Sequence, residues 1–204
     1  MGATNLPKSW ADVSLKQLIQ IEEITNDKSL DKDFAPEYTR GLLKLSVFTG
    51  ESLDYYEALP IKEGRALIQS ISFLNEYPKE TAVNKFKCGG YTWKVSCDVN
   101  NLSGGQVIDH YEFTKNQDKI LANCNKLMAM YCTPYKYFRK VKLSDKEKGE
   151  LLQDVPVQVV YPLTVFFCKV YPLFLKATTD YLEKATEDLK KEMETNQERA
   201  TVAG

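Results

Sequence analysis

The sequence predicts an α+β fold, mainly α: a helical bundle with one central antiparallel β-hairpin and a long kinked C-terminal helix. Three patterns lead there. Apolar residues recur at three- and four-residue intervals through most of the chain, the period shortens to two around residues 85–99, and an apolar run broken by prolines fills residues 155–175. Residues 1–78 read as an N-terminal helical region. Residues 79–154 hold the hairpin and further helices of the same compact domain, and residues 155–204 are an apolar kinked helix continuing into a charged arm.

The first helix is set by Ser14 and Gln17, the spacing of a capping box, with Leu15, Leu18 and Ile19 following at helical intervals to about Thr25. The polar stretch NDKSLDKD then predicts a loop. Pro36 suits a first helical turn and Gly50 a helix stop, so EYTRGLLKLSVFT is a second helix that Gly41 weakens without breaking. ESLDYYEALP is a short helical turn. KEGRALIQSISFLNEYP puts Ala66, Leu67, Ile68, Ile71 and Leu74 on one face before Pro78, and Trp10 is a packing anchor for this region.

In NKFKCGGYTWKVSCDV the period is two, and Gly89-Gly90 supplies the positive φ values of a type I′ turn. The register pairs Cys88 with Tyr91 and Phe86 with Trp93 on the apolar face, leaving Lys85, Lys87, Thr92 and Lys94 on the other. It also puts Cys97 roughly 20 Å along the strand from Cys88, beyond disulfide reach. A helix over Asp118–Tyr131 comes next, with Ile120, Leu121, Cys124, Leu127, Met128 and Tyr131 inward, then a loop holding TPYKYFRKVK. A capping box at Ser144 and Glu147 opens a helix to about Asp154.

The run VPVQVVYPLTVFFCKVYPLFL is nearly long enough to cross a bilayer. Gln158, Lys169 and the prolines Pro156, Pro162 and Pro172 oppose insertion, a central lysine alone costing about 2.5–3.5 kcal/mol. The expectation is no membrane span but one or two helices kinked at Pro162 and Pro172, buried in a core or an interface. Tyr161, Phe166, Phe167, Tyr171 and Phe174 are its anchor residues.

Chemical constellations are sparse. The pentapeptide Leu102-Ser103-Gly104-Gly105-Gln106 matches the phosphate-gripping signature of ABC-type ATPases, but no Gly-Lys-Ser or Gly-Lys-Thr exists to build the phosphate loop that must accompany it. Ser103 and Gln106 instead form a capping box at a strand-to-helix turn, with Val107, Ile108 and Tyr111 facing inward. His110 is the only histidine; with Asp109 and Glu112 on different faces of its helix, it forms no assignable triad and is expected to be a surface or half-buried residue. Five cysteines without a C-x-x-C pair predict reduced, mostly buried thiols, no disulfide framework and no metal site. No cofactor is expected, and no catalytic residue is assigned.

At 43% hydrophobic and 27% charged residues with a formal charge of -1, composition gives no global pull towards nucleic acid or acidic membranes. The N-terminus lacks the basic start and apolar run of a secretory signal, which predicts no export by that route. One local patch is both basic and aromatic. Tyr135, Lys136, Tyr137, Arg139 and Lys140, with Phe138 between them, are residue types that stack on nucleic acid or grip a partner.

The N-terminal helical part with Trp10, the central hairpin, the helix start GGQVIDHYEF with Gly105-Gln106-x-Ile108-Asp109, and PLTVFFCKVY with Phe166-Phe167 together resemble small virion-associated proteins of crAss-like and related Bacteroidales tailed phages. The resemblance covers most of the chain as a layout. It implies a noncatalytic role: a head-tail connector or tail ring subunit contacting portal or tail components, or an assembly chaperone for tail or capsid that leaves before the virion is complete. A cargo or nucleic-acid-contacting protein of the capsid is a third expectation. It further implies assembly in the host cytoplasm, location in the virion for a structural subunit, and homo-oligomers for a ring.

Overall fold

A computed structural model describes residues 6–79, 83–96, 102–115, 120–166 and Thr186. Eight α-helices and one four-stranded antiparallel sheet are built from these residues, so the fold is α+β and mainly α. The chain divides into two compact units, Met1–Thr164 and Val165–Gly204. The sheet belongs to the first unit, as do the eight helices apart from the final residue of the last one.

Helix ends fall where side chains can satisfy the free backbone N–H groups. The predicted capping boxes at Ser14/Gln17 and Ser144/Glu147 open α1 (Leu15–Asn26) and α7 (Asp145–Leu151), and a further one at Ser9/Asp12 opens a short 3-10 turn at Trp10–Asp12. The polar NDKSLDKD stretch is not loop throughout, because Asp27 caps a 3-10 turn at Lys28–Lys32. Arg40 holds that turn onto α2 (Pro36–Thr49), pairing with Asp31 and, at 2.8 Å, with Glu37. As predicted, Pro36 starts α2 and Gly50 ends it.

α3 (Leu53–Glu57) and α4 (Ile61–Ser70) close this bundle around Leu42, Leu45, Tyr56 and Ile71. α2 runs unbroken through Gly41, and the missing Cβ is what lets α2 and α4 approach: a Cβ there would lie 2.7 Å from the Ile68 side chain. Ala66 is exposed, outside the face assigned to it, because Leu67, Ile68 and Ile71 fill the interface. Trp10 is the anchor expected of it, donating from its indole to the Glu76 carbonyl at 2.9 Å and meeting Phe73 edge-on.

β1 (Lys85–Cys88) and β2 (Tyr91–Val95) have the predicted register, Phe86 opposite Trp93 and Cys88 opposite Tyr91, with Gly89 and Gly90 at φ 56° and 76°. The stretch TPYKYFRKVK, however, is not a loop. Residues Cys132–Lys136 form β3, which continues α6 (Ile120–Tyr131) and pairs with β2, and Arg139–Lys140 form β4. Strand order is β1-β2-β3-β4, a meander.

Only one face of this sheet is apolar. Trp93 is fully buried, stacks on Phe86 and donates its indole N–H to the Cys88 carbonyl at 3.0 Å. Gly89 leaves just enough room for Leu151, and the Cys88 thiol donates to the Leu151 carbonyl at 3.3 Å, which docks the hairpin on the end of α7. α7 in turn leans on α6, where the Asn125 amide donates to the Gly149 carbonyl and Lys148 to that of Ala129.

α8 (Val157–Val165), with Pro162 inside it, inserts into the core. Val155, Val157, Val160 and Leu163 are buried, and the chain around Pro156 pairs with the start of α1: Leu15 donates to the Val155 carbonyl at 2.9 Å, and Val157 to that of Val13 at 2.8 Å. No helix among the described residues is long and apolar enough to cross a membrane. Truncation after Asp154 strips Val155, Val157, Val160 and Leu163 from the core, and each lost buried aliphatic side chain costs about 1.5–3 kcal/mol. The expected outcome is loss of the cooperative thermal transition in circular dichroism.

Candidate functional site

Directly opposed residues in an antiparallel sheet share a face. With Phe86, Trp93 and Pro134 turned inward, the outer face has two rows: Lys87, Thr92, Tyr135 and Lys140 across all four strands, and Lys85, Lys94 and Thr133 beside them. This face carries four lysines and no acidic residue. Lys85 and Lys94 are direct cross-strand neighbours, a like-charge arrangement that costs stability, and neither is in an ion pair among the described residues.

Over this face opens a groove of about 500 Å³ lined by Lys85, Thr92, Lys94, Tyr135, Tyr137 and Phe138. Its aromatic wall is the β3–β4 turn. Tyr137 and Phe138 have φ of 48° and 65°, the left-handed region that bulky L-residues avoid at a cost of about 1–2 kcal/mol per residue. Neither ring is repaid by burial, since Tyr137 is 87% and Phe138 102% exposed. Two strained, solvated aromatic rings therefore stand together at the edge of the groove, an arrangement that costs stability without burying apolar surface.

Of the patch assigned from the sequence, Tyr135, Tyr137 and Lys140 belong to this face. Lys136 and Arg139 pair with each other in the alternate row, and the Lys136 ammonium lies 5.7 Å from the centre of the Tyr91 ring. Lys85, Thr92 and Lys94 are legible as the polar side of the first hairpin, but joining them to Tyr135 requires the β2–β3 pairing. Of the proposed anchors in the apolar run, Tyr161 is half-buried and stacked on Tyr77, and Phe166 is half-buried. Phe167, Tyr171 and Phe174 lie outside the described residues.

The LSGGQ stretch forms the predicted capping box: Ser103 Oγ accepts from the Gln106 amide at 3.3 Å and Gln106 Oε1 from the Ser103 amide at 3.0 Å, opening α5 (Gly104–Thr114). Gln106 also donates to Asp145 at the start of α7. The inward face of α5 differs from the expected one. Ile108 and Tyr111 are exposed, Val107 is half-buried, and His110 is 1% exposed, because its Nδ1 meets the Tyr131 hydroxyl at 3.0 Å and its ring packs edge-on against Tyr131. A histidine with a polar partner on α6 buries more readily than its hydropathy suggests.

Burial pulls the His110 pKa down to about 4. Burial likewise pushes the Cys88 thiol up, with Asp154 adding to the effect, so it stays protonated. Cys124 and Cys132 are buried thiols, with Cys124 Sγ 2.8 Å from the Thr164 hydroxyl; Cys97 and Cys168 lie outside the described residues. Among the described residues no three His, Cys, Asp or Glu side chains converge on a metal-sized site. The groove itself contains cations, hydroxyls and rings, an inventory suited to holding an anionic, partly apolar ligand.

Comparison with known proteins finds no match to any family model, curated protein or solved structure.

Replacing the turn by Tyr137→Asn with Phe138→Gly relieves the strain without uncovering core, so chemical denaturation should show the variant more stable by about 1–2 kcal/mol. His110 is neutral in the fold until about pH 4, whereas the unfolded chain takes up a proton near pH 6.5. The unfolded state thus binds the extra proton between those values, and stability falls as pH drops through that window, by about 2 kcal/mol from pH 7 to 5. Denaturation at the two pH values measures the loss, and a His110→Gln variant should lack this component.

Proposed function

We propose that the chain is a noncatalytic assembly protein of tailed-phage particles, acting as a chaperone that docks other assembly proteins on the basic, aromatic face of its sheet. The observation that carries this reading is the strained turn at Tyr137 and Phe138 beside the like-charged neighbours Lys85 and Lys94: stability is given up twice at one place, and an anionic partner would relieve the charge repulsion while its contacts with the two rings offset the strain. The layout resemblance supplies the setting. Binding rather than turnover suits the groove, since its described lining of lysines, hydroxyls and rings includes no imidazole or carboxylate to activate a nucleophile.

A connector or ring subunit is the competing role. Permanent subunit contacts are large and apolar, whereas transient ones are smaller and more polar. In the described part of the apolar run, residues 155–166, Val155, Val157, Val160 and Leu163 are turned into the chain's own core, and the sheet face left open is charged with isolated aromatic anchors. That balance favours the transient partner. Mass spectrometry of purified particles and of complexes drawn from infected cells tests it: the chain should co-purify with tail or capsid proteins and be missing from finished particles. Recovery in particles at a fixed ratio to the portal would establish the connector role instead, and recovery with neither would remove an assembly role.

A further inference from the structure

Resting on the reading of the sheet face as a docking surface, we infer that its occupant is a short acidic segment of a partner protein, with one apolar side chain seated between Tyr135, Tyr137 and Phe138 and flanking carboxylates on Lys85 and Lys94. Charge complementarity fixes the sign of the ligand. The outward rows hold Lys85, Lys87, Lys94 and Lys140 with no carboxylate among them, and Lys85 faces Lys94 directly across the strands. Among the described residues no carboxylate pairs with either lysine, and an incoming anion would relieve that repulsion.

The extent of the charge selects a short segment over nucleic acid. A single-stranded nucleic acid carries a phosphate at every nucleotide and is held by a basic groove that tracks its backbone, in domains whose isoelectric point typically exceeds about 9. Here the whole chain has a formal charge of -1 and a pI near 6.0, so the cations of the sheet are outweighed by acids elsewhere. At physiological salt the attraction of the face decays within about 8 Å, so a long polyanion would gain from it only over the few units that lie in the groove. A segment with a few carboxylates matches that reach. The groove is also a local one, about 500 Å³ walled at one side by the turn, which suits one seated side chain better than a run of stacked bases.

The partner's apolar residue is set by the lining. Tyr135, Tyr137 and Phe138 line the groove beside Thr92, and aromatic side chains in such a setting are the usual anchors of a small protein interface. Lysine, rather than arginine, at the flanks calls for carboxylates as point charges without strict bidentate geometry.

The test titrates the full chain with three labelled probes and follows anisotropy and amide chemical shifts. The probes are a dodecapeptide of glutamate and aspartate around a central phenylalanine, the same peptide with glutamine and asparagine in place of the acids, and an oligothymidylate. The acidic peptide should bind saturably and move the amides of Thr92, Lys94, Tyr135, Tyr137 and Phe138, while the amide peptide binds at least about tenfold more weakly, a difference of about 1.4 kcal/mol. Lys94→Glu converts the like-charge pair with Lys85 into an opposite one, so the variant should melt no lower than the parent yet lose at least about tenfold in affinity, and the Tyr137→Asn, Phe138→Gly variant should lose as much.

Tighter binding of oligothymidylate than of the acidic peptide, with the same dependence on Lys94, would overturn the assignment in favour of nucleic acid. Absence of saturable peptide binding, or binding indifferent to both variants, would overturn it outright. If the Lys94→Glu chain still co-purifies with assembly proteins from infected cells, the assembly role stands and only the proposed occupant falls. Loss of co-purification by the parent chain itself would strike the broader role.

Discussion

Trp93 is the constraint on which the sheet, and with it the binding face, depends. Its indole is fully buried, stacked on Phe86 and tied to the Cys88 carbonyl, so the first hairpin has one permitted side towards the core. Side chains alternate along a strand, and a slip of one residue would bury Lys85, Lys87 and Lys94 while exposing the tryptophan. Desolvating those ammonium groups without partners would cost far more than the strand pairing returns. Fixing one ring therefore fixes the outward position of every lysine in β1 and β2, and through Pro134 and the β2–β3 register that of Tyr135 as well.

Local rules carry most of the fold. Three serine-headed capping boxes, the Gly89-Gly90 turn and the proline and glycine limits of α2 are all legible, because each is decided by residues within four positions of one another. The second hairpin is not. Its turn uses Tyr137-Phe138, where the turn chemistry asks for Asn-Gly, and β4 is only two residues long, so no period emerges. The binding face is half legible for the same reason: its lysines read as the polar side of one hairpin and its rings as part of a loop, and only a non-local pairing joins them.

His110 and Gly41 show a related limit. Each carries an intrinsic tendency, polarity in one case and poor helix propensity in the other, and in each a single distant partner reverses the outcome. Tyr131 makes the interior polar where His110 needs it, and Ile68 needs the volume that a Cβ at position 41 would occupy. The LSGGQ stretch belongs with the legible features in its local geometry, yet its further role is again non-local. Gln106, already occupied in the cap of α5, donates to the Asp145 carboxylate in the first turn of α7, so one acidic group sits near the positive ends of two helices.

The short β4 gives the binding face a dynamic character. The Tyr135–Lys140 and Lys136–Arg139 pairs, with the bond from the Val141 N–H to the Pro134 carbonyl at 2.9 Å, hold β4 to β3, and the strain of two left-handed residues is stored in the turn between them. Local opening is governed by the free energy of the few bonds broken less any strain released, not by the stability of the whole domain. The aromatic tip is therefore cheap to open, and the short pairing at its base would let the amide hydrogens of Arg139 and Lys140 exchange with solvent sooner than that of Trp93, which sits between two paired strands. A ligand seated against the rings would close that route, so occupancy of the groove would be written into the exchange rate of a two-residue strand.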